Sequence, residues 1–409
     1  MLPIHNPEIT DGAPLPSRRT LPDRLLYSIA ADIGGSGLSL TAEQGLLASH
    51  RSGFLGRAIG YRDHQKVIPS EKIRSLAWHP VKLLSNLDRE TYYGAKKQYL
   101  DWITSREIRR GGYDCFHGWS GDCLRSLIAA RQMKVPTMIE IPTWHRNKFR
   151  PHKFYTKSER ERPDTWRNRL RVHRQQILTE YELADLILVQ SETAAASFLD
   201  KGFDPGRIFL VARGADPDTF RPARYPETFR LTFVGALKKR KGVHHLLEAW
   251  HRLDLKDAEL VLVGTVHDEI KPWLERHKID SVILPGFVAD VRPYLERSSA
   301  FVFTSECEGS AKATYEAAAS ALAQITTRES GDVVVNGHNG IVIPANDSNA
   351  LADAIRECYR DRDALAAMGR AARRRFEERF TWEHHRRRLL HAYAMLAAGS
   401  AGVASGSSS

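Results

Sequence analysis

From residue 229 the apolar positions alternate between two patterns. Short unbroken apolar runs, "FRLTFVG", "AELVLVG", "SVILPG", "AFVFT" and "GIVIP", are separated by stretches with helical spacing. The latter are "GVHHLLEAWHRL", "EIKPWLERHK", "VRPYLERS", "AKATYEAAASAL" and "NALADAIRECYRD". In "GVHHLLEAWHRL", residues Leu246, Leu247, Trp250 and Leu253 share one helical face. Unbroken apolar runs suit strands buried on both faces of a parallel sheet. Their alternation with helices predicts a doubly wound α/β domain.

The first half repeats the theme less regularly. "RLLYSIAA" leads into "DIGGSG", "YDCFHGWSG" into the helix "DCLRSLIAARQM", and "PTMIEIP" is a further strand. "ELADLILVQSE" runs from a helix end into a strand, and "RIFLVARGAD" closes the half. "DPDTFRPARYPETFR" has three prolines and no periodicity, which predicts an interdomain linker. The last helix carries Trp382, Leu389, Leu390, Tyr393 and Leu396 as one stripe, and the low-complexity "GSAGVASGSSS" after it is expected to be disordered. Two α/β domains joined by a linker would face the carboxyl ends of their strands across a cleft, where ligands of open α/β sheets bind.

A length of 409 residues suits two domains. Four cysteines without a C-x-x-C pairing speak for a reducing compartment and against zinc or a disulfide framework. The first twenty residues lack an apolar core and no run of 18 apolar residues occurs, so neither a signal peptide nor a membrane span is expected. The net charge of +11 is unevenly placed. Residues 1–225 hold 35 Lys and Arg against 25 Asp and Glu, while residues 226–409 hold 25 against 24. A basic first half suits solubility or an anionic partner: a membrane surface, a phosphorylated acceptor or a nucleic acid.

Candidate chemistry lies just after strands. Glu308 and Glu316 stand eight residues apart across a strand–loop–helix junction, Glu308 in the loop and Glu316 on the helix. Free backbone N–H groups at the helix start, near Ser310 to Ala313, would favour an anion in the same space. Hydroxyl acceptors beside phosphate donors are what a sugar nucleotide needs, although two solvated glutamates would share this spacing. "GALKKRKG" places Lys238, Lys239, Arg240 and Lys241 at a helix start, where the dipole disfavours cations. A phosphate ligand would account for them, and a solvated charge run is the alternative. The glycines of "DIGGSG" let a backbone approach a ligand closely, or make an ordinary turn; they do not spell a dinucleotide fingerprint. His117 follows a strand and is a ligand contact or a structural histidine. Asp216 and Asp218 spell D-x-D and read as turn and capping residues rather than metal ligands. Residues 146–174 hold eleven Lys or Arg against three acidic residues, with aromatics between, and suit a solvated face or a lid for an anionic acceptor.

In their order and spacing, "ADLILVQSE", "VARGADPDTFRP", "FVGALKKRKGVHHLLEAW", "ELVLVG", "LPGFV", "FTSECEGSAKATYEAAAS", "NGIVIP" and "FTWE" resemble the retaining glycosyltransferases of the two-domain GT-B type, family 4. The resemblance covers nearly the whole chain and is strongest over 181–382. It implies two Rossmann-like domains: 1–223 on the acceptor side, with a helix over 381–397 packing back on it, and 228–378 for the nucleotide sugar, followed by a disordered tail over 398–409. It implies that Glu308 holds donor-sugar hydroxyls, Glu316 the ribose hydroxyls, and Lys241 with Arg240 the diphosphate. His117 would approach the donor sugar and phosphate, and Gly34 and Gly35 would line the cleft. The backbone around Phe287 and Val288 would meet the base, while Gly235, Gly309, Ser310, Ala311 and Lys312 would complete the donor site. The implied donor is a UDP- or GDP-linked sugar, used with retention and without metal or other cofactor. The implied acceptor is a glycan or lipid-linked glycan, in cell-surface polysaccharide or glycolipid synthesis. The expected location is cytoplasmic, at the inner face of the membrane through the basic first half, with no nucleic-acid partner.

The chain departs from the family pattern in places. Ala236 replaces an Arg that often follows the glycine of "FVG". Ala321, Ala323 and Gln324 replace a Gly, a Pro and an aliphatic residue, and Lys312 stands where an apolar residue is usual. These changes surround the donor pocket and leave room for an altered donor or a weakened enzyme. A nucleotide-sugar-binding homologue without transfer, and a basic nucleic-acid-binding protein, are the competing expectations.

Overall fold

The computed structural model describes residues 12–35, 37–147, 165–276 and 280–405, with side chains described to Gly399. The chain divides into two compact units. The first takes Met1–Val189, Ala195–Val211 and His385–Ser409; the second takes Gln190–Ala194 and Ala212–His384.

The first unit holds seven strands: β1 (Leu25–Ser28), β2 (Leu55–Gly60), β3 (Ile73–Ser75), β4 (Cys115–Trp119), β5 (Thr137–Glu140), β6 (Leu186–Val189) and β7 (Ile208–Leu210). Their order in the sheet is β3-β2-β1-β4-β5-β6-β7, and every pairing is parallel. β1, β4, β5 and β6 are buried along their whole length, as their unbroken apolar runs require. The terminal helix Trp382–Ser405 supplies Leu389, Leu390, Tyr393 and Leu396 to this unit's core, beside Leu25, Tyr27 and Leu46. That helix continues through residues 398–405, which the sequence assigns to a disordered tail; alanine-rich "MLAAGSAGVAS" has enough helix propensity to extend it. Residues 406–409 lie outside the described residues, as does most of the basic stretch 146–174.

The second unit holds β8 (Phe229–Val234), β9 (Ala258–Val263), β10 (Val282–Gly286), β11 (Ala300–Phe303), β12 (Gln324–Thr327) and β13 (Gly340–Ile343). They form a six-stranded parallel sheet in the order β10-β9-β8-β11-β12-β13. Two Rossmann-like domains are therefore present. β12 escapes hydrophobic patterning because its sequence, "QITT", has one aliphatic residue among four buried ones. Two of its side chains are tied internally: Gln324 Nε2 donates to Thr314 O at 2.9 Å and the Thr327 hydroxyl to Ser305 O at 2.6 Å.

The proline-rich stretch after Asp216 is not a free linker. Ala223 N donates to Ser320 O at 2.7 Å, Arg224 N to Glu296 O at 2.8 Å, and Arg373 Nη1 to Phe220 O at 2.7 Å. Ala215 forms a parallel bridge with Thr381. The stretch therefore belongs to the second unit, and the division falls at Ala212 rather than between 223 and 228. Asp216 accepts from Asp218 N at 3.0 Å and from the Thr219 hydroxyl at 2.8 Å, which is a local turn.

Candidate functional site

In the second unit the loops leaving β8 and β11 converge. β8 ends at Val234, Gly235 follows, and a short turn over Lys239–Lys241 leads through Gly242 into the helix Val243–Leu253. Gly242 is in the left-handed region at φ +72°, and a Cβ there would stand 2.2 Å from Thr304 O. This close approach seats the cationic turn directly against the end of β11 (Ala300–Phe303). Glu306 N donates to Arg240 O at 2.9 Å, and the Ser305 hydroxyl oxygen lies 3.1 Å from the same carbonyl.

Glu308 is the hub. Its Oε1 accepts from Lys241 Nζ at 2.7 Å, from Arg240 Nη1 at 3.0 Å and from the Ser305 hydroxyl at 3.2 Å. Arg240 also donates to Cys307 O, and Lys241 Nζ lies 4.7 Å from the centre of the Phe303 ring. The Glu308 and Lys241 side chains are 15% and 17% exposed, enough to be reached by a ligand yet shielded from full solvent screening. Two cations thus share one carboxylate oxygen, leaving an excess of positive charge. Lys238 and Lys239, in the same turn, make no contact with Glu308 among the described ion pairs.

Glu308 N donates to Glu329 O at 2.9 Å, and Ala311 N to Ser330 O at 2.9 Å. These bonds carry the chain through Gly309 and Ser310, both buried, into the helix Lys312–Ala319. Ala311 is the N-cap and has no side-chain acceptor to offer. Glu316, on this helix, is buried, and Lys312 Nζ stands 2.5 Å from its Oε1. Lys312 is therefore the i,i+4 partner of the carboxylate for which the resemblance implies ribose hydroxyls. Ala321 adopts φ +57°, a conformation that glycine holds without strain and alanine does not. Phe287, just beyond the sheet-edge strand β10 (Val282–Gly286), is 78% exposed, and Val288 is half-buried.

His244, His245 and Glu306 bring ligand atoms within 4.8 Å of one another, a geometry that could hold a metal ion beside the cationic turn. Two adjacent histidines opening a helix were the available signal.

In the first unit, Gly34 is buried and Gly35 exposed in the loop after β1 (Leu25–Ser28). His117 is on β4 (Cys115–Trp119), not after it, and is fully buried. Its Nδ1 is 2.6 Å from the Tyr393 hydroxyl and its Nε2 is 3.2 Å from Glu140 Oε1. Trp119 Nε1 donates to the Tyr27 hydroxyl at 2.8 Å, closing the network from the other side. The imidazole is thus fully buried between Tyr393 of the terminal helix and Glu140, the setting of the structural alternative. Nearby, burial pushes Glu180 up to about 8 and Asp122 up to about 6, against the pull of the Gly121 and Ala30 N–H groups that they respectively accept from.

Residues 228–361 match the family model described as glycosyl transferases, group 1. This segment holds the whole Glu308–Lys241–Glu316 cluster. Three curated relatives illustrate the similarity. The chain is 28% identical to the capsular polysaccharide biosynthesis glycosyltransferase CapM of Staphylococcus aureus, over 38% of this chain and 44% of that protein. It is 28% identical to the alpha-maltose-1-phosphate synthase of Mycolicibacterium smegmatis, over 54% and 65%. It is 31% identical to the O-antigen chain mannosyltransferase C of Escherichia coli, over 44% and 50%. The matched region therefore spans less than two thirds of each relative. Among solved structures, the sucrose-phosphate synthase of Thermosynechococcus elongatus aligns at TM-score 0.69 and 18% identity, covering 92% of this chain and all of that one. Anabaena HepE in complex with UDP-glucose aligns at TM-score 0.66 and 16% identity, covering 90% and 98%. At such identities the likeness is one of fold, the GT-B pairing of two Rossmann-like domains.

Proposed function

We propose that the chain is a glycosyltransferase that moves a sugar from a nucleoside-diphosphate sugar to a glycan or lipid-linked acceptor with retention of anomeric configuration, in cell-surface polysaccharide or glycolipid synthesis. The observation that carries this is the Glu308 carboxylate held by Lys241 and Arg240 at 2.7 and 3.0 Å, at the carboxyl end of a parallel sheet. The match to group 1 glycosyl transferases over the same segment and the UDP-glucose complex of a structural neighbour support it.

In the proposed reaction the bond from the anomeric carbon to the diphosphate breaks, and the diphosphate leaves with the electron pair. The acceptor hydroxyl oxygen bonds to the same face of that carbon, and its proton passes to the departing diphosphate oxygen. Charge develops on the leaving diphosphate, and Lys241 and Arg240 are fixed where they stabilise it more than the ground state. Ser310, Ala311 and Lys312 present the helix start to the phosphates, beside Gly235 and Gly309. Glu308 takes donor-sugar hydroxyls, Glu316 the ribose, and the chain at Phe287 and Val288 the base. Gly34 and Gly35, in the loop after β1, are proposed as positions where the first unit's backbone meets a ligand. No metal is needed for these steps.

The test is a panel of UDP- and GDP-sugars assayed for transfer and for donor hydrolysis, with UDP and GDP binding measured in parallel. Turnover of one donor, lost in Lys241→Ala while the melting temperature holds, is the expected result. Tight nucleotide binding with no turnover of any donor would support a binding homologue instead.

A further inference from the structure

Three adjacent parallel strands of the first unit end around one cavity of about 260 Å³. Asp32 lies in the loop after β1, Tyr61 and Arg62 directly follow β2 (Leu55–Gly60), and His79 lies in the loop after β3 (Ile73–Ser75). The helix Arg89–Arg109 closes the remaining side with Tyr92, Tyr93 and Lys96. This is the place where open α/β sheets bind ligands. None of these residues belongs to the cluster around Glu308.

The wall is positively charged. Arg62, Lys82 and Lys96 line it against a single carboxylate, Asp32, which is already shared with His64 at 3.4 Å. No ion pair of these three cations occurs among the described residues. Lys96 Nζ instead sits 3.8 Å from the centre of the Tyr61 ring and 5.6 Å from that of Tyr93. Burial lowers the Lys96 pKa, Asp32 opposes the shift and Arg62 adds to it. His79 is lowered by burial and by Lys96 and Lys82, which keeps it a neutral hydrogen-bonding group at neutral pH. Crowding like charges is unfavourable unless an anion joins them. The tyrosines add flat apolar faces with polar tips, which suit a sugar ring. The volume lies below the roughly 300 Å³ at which pockets for drug-sized ligands begin, so a monosaccharide phosphate fits the scale better than a nucleotide sugar.

We propose that this cavity binds a sugar phosphate, with Lys96 and Arg62 on the phosphate and the tyrosine rings against the sugar. Its use as the anionic part of a transfer acceptor rests on the function proposed above; the binding itself does not.

The probe is glucose 1-phosphate, titrated into the full chain by calorimetry beside glucose and UDP. The wild type and Lys241→Ala are expected to bind it alike, glucose not to bind, and Lys96→Gln and Arg62→Gln each to weaken it by roughly tenfold, the loss of one charge-assisted hydrogen bond. Arg62 is exposed, so its variant keeps the test valid if Lys96→Gln lowers the melting temperature. Unchanged affinity in both variants would overturn the proposal, as would a loss confined to Lys241→Ala. Sedimentation with phosphatidylglycerol vesicles that needs Lys96, without glucose 1-phosphate binding, would also overturn it and assign the cavity to a membrane. Failure of UDP to bind, with glucose 1-phosphate retained, would count against the proposed function and leave this site standing.

Discussion

Replacing Glu308 by Gln separates three quantities that a purely structural residue would move together. One oxygen of Glu308 accepts from Lys241, Arg240 and Ser305. Gln keeps the shape and an acceptor for Ser305 but removes the charge. Hydrogen bonds to charged groups contribute about 1.5–3 kcal/mol and neutral ones about 0.5–1.5, so each cation loses about 1 kcal/mol. Arg240 is 32% exposed, which discounts its share. The expected loss of folding stability is about 1–2 kcal/mol, a fall of roughly 2–8 °C in Tm for a domain of this size. The same substitution frees both cations from their internal counter-charge. UDP or GDP affinity, measured by calorimetry, should therefore rise by roughly tenfold. Transfer should fall on the order of 10²- to 10³-fold, because an interaction aimed at the reacting sugar is gone. Nucleotide affinity falling in step with turnover would refute the reasoning, since Glu308 would then only be holding the cations in place. Unchanged turnover would remove it from the site.

Lys312→Met should release the Glu316 carboxylate from its 2.5 Å partner and tighten nucleotide binding two- to fivefold, a small gain because Lys312 is 39% exposed; weaker binding would make Lys312 itself a phosphate contact. Gly242→Ala should destabilise the second unit by about 2–4 kcal/mol in urea unfolding, since the new Cβ would stand 2.2 Å from Thr304 O at φ +72°; an unchanged midpoint would contradict the close approach. Glu180 has its pKa raised from 4.5 to about 8 by burial. The folded state therefore holds more protons than the unfolded state between those values, and stability should fall as pH rises from about 4.5 to about 8 and then level off. Unfolding measured across that range should show a shallower decline in Glu180→Gln; an identical slope would refute the assignment.

Much of the candidate site can be picked out from the sequence because its residues lie close together along the chain. Glu308 and Glu316 are eight residues apart, and the cationic turn announces itself by charge. The strands around them are apolar runs, and burial on both faces of a parallel sheet demands that composition. β12 was hidden because three of its four buried positions are Gln and Thr, and Gln324 and Thr327 are held by partners 10 and 22 residues distant. The stretch 216–230 looked like a linker because prolines forbid helix and sheet. Its attachment depends on carbonyls and N–H groups from Glu296, Ser320 and Arg373, which no local pattern displays.

By itself the sequence determined two alternating α/β domains and the residue types of the second unit's site, since periodicity, charge and spacing are local properties. Tertiary structure decided which groups meet. It put Lys241 and Arg240 on one oxygen of Glu308, set Lys312 against Glu316, and sealed His117 between Glu140 and Tyr393. It also gathered Lys96, Arg62 and three tyrosines at the ends of β1, β2 and β3. Such encounters depend on distances between elements far apart in the chain, and parallel crossover connections bring those elements together only once the sheet has formed.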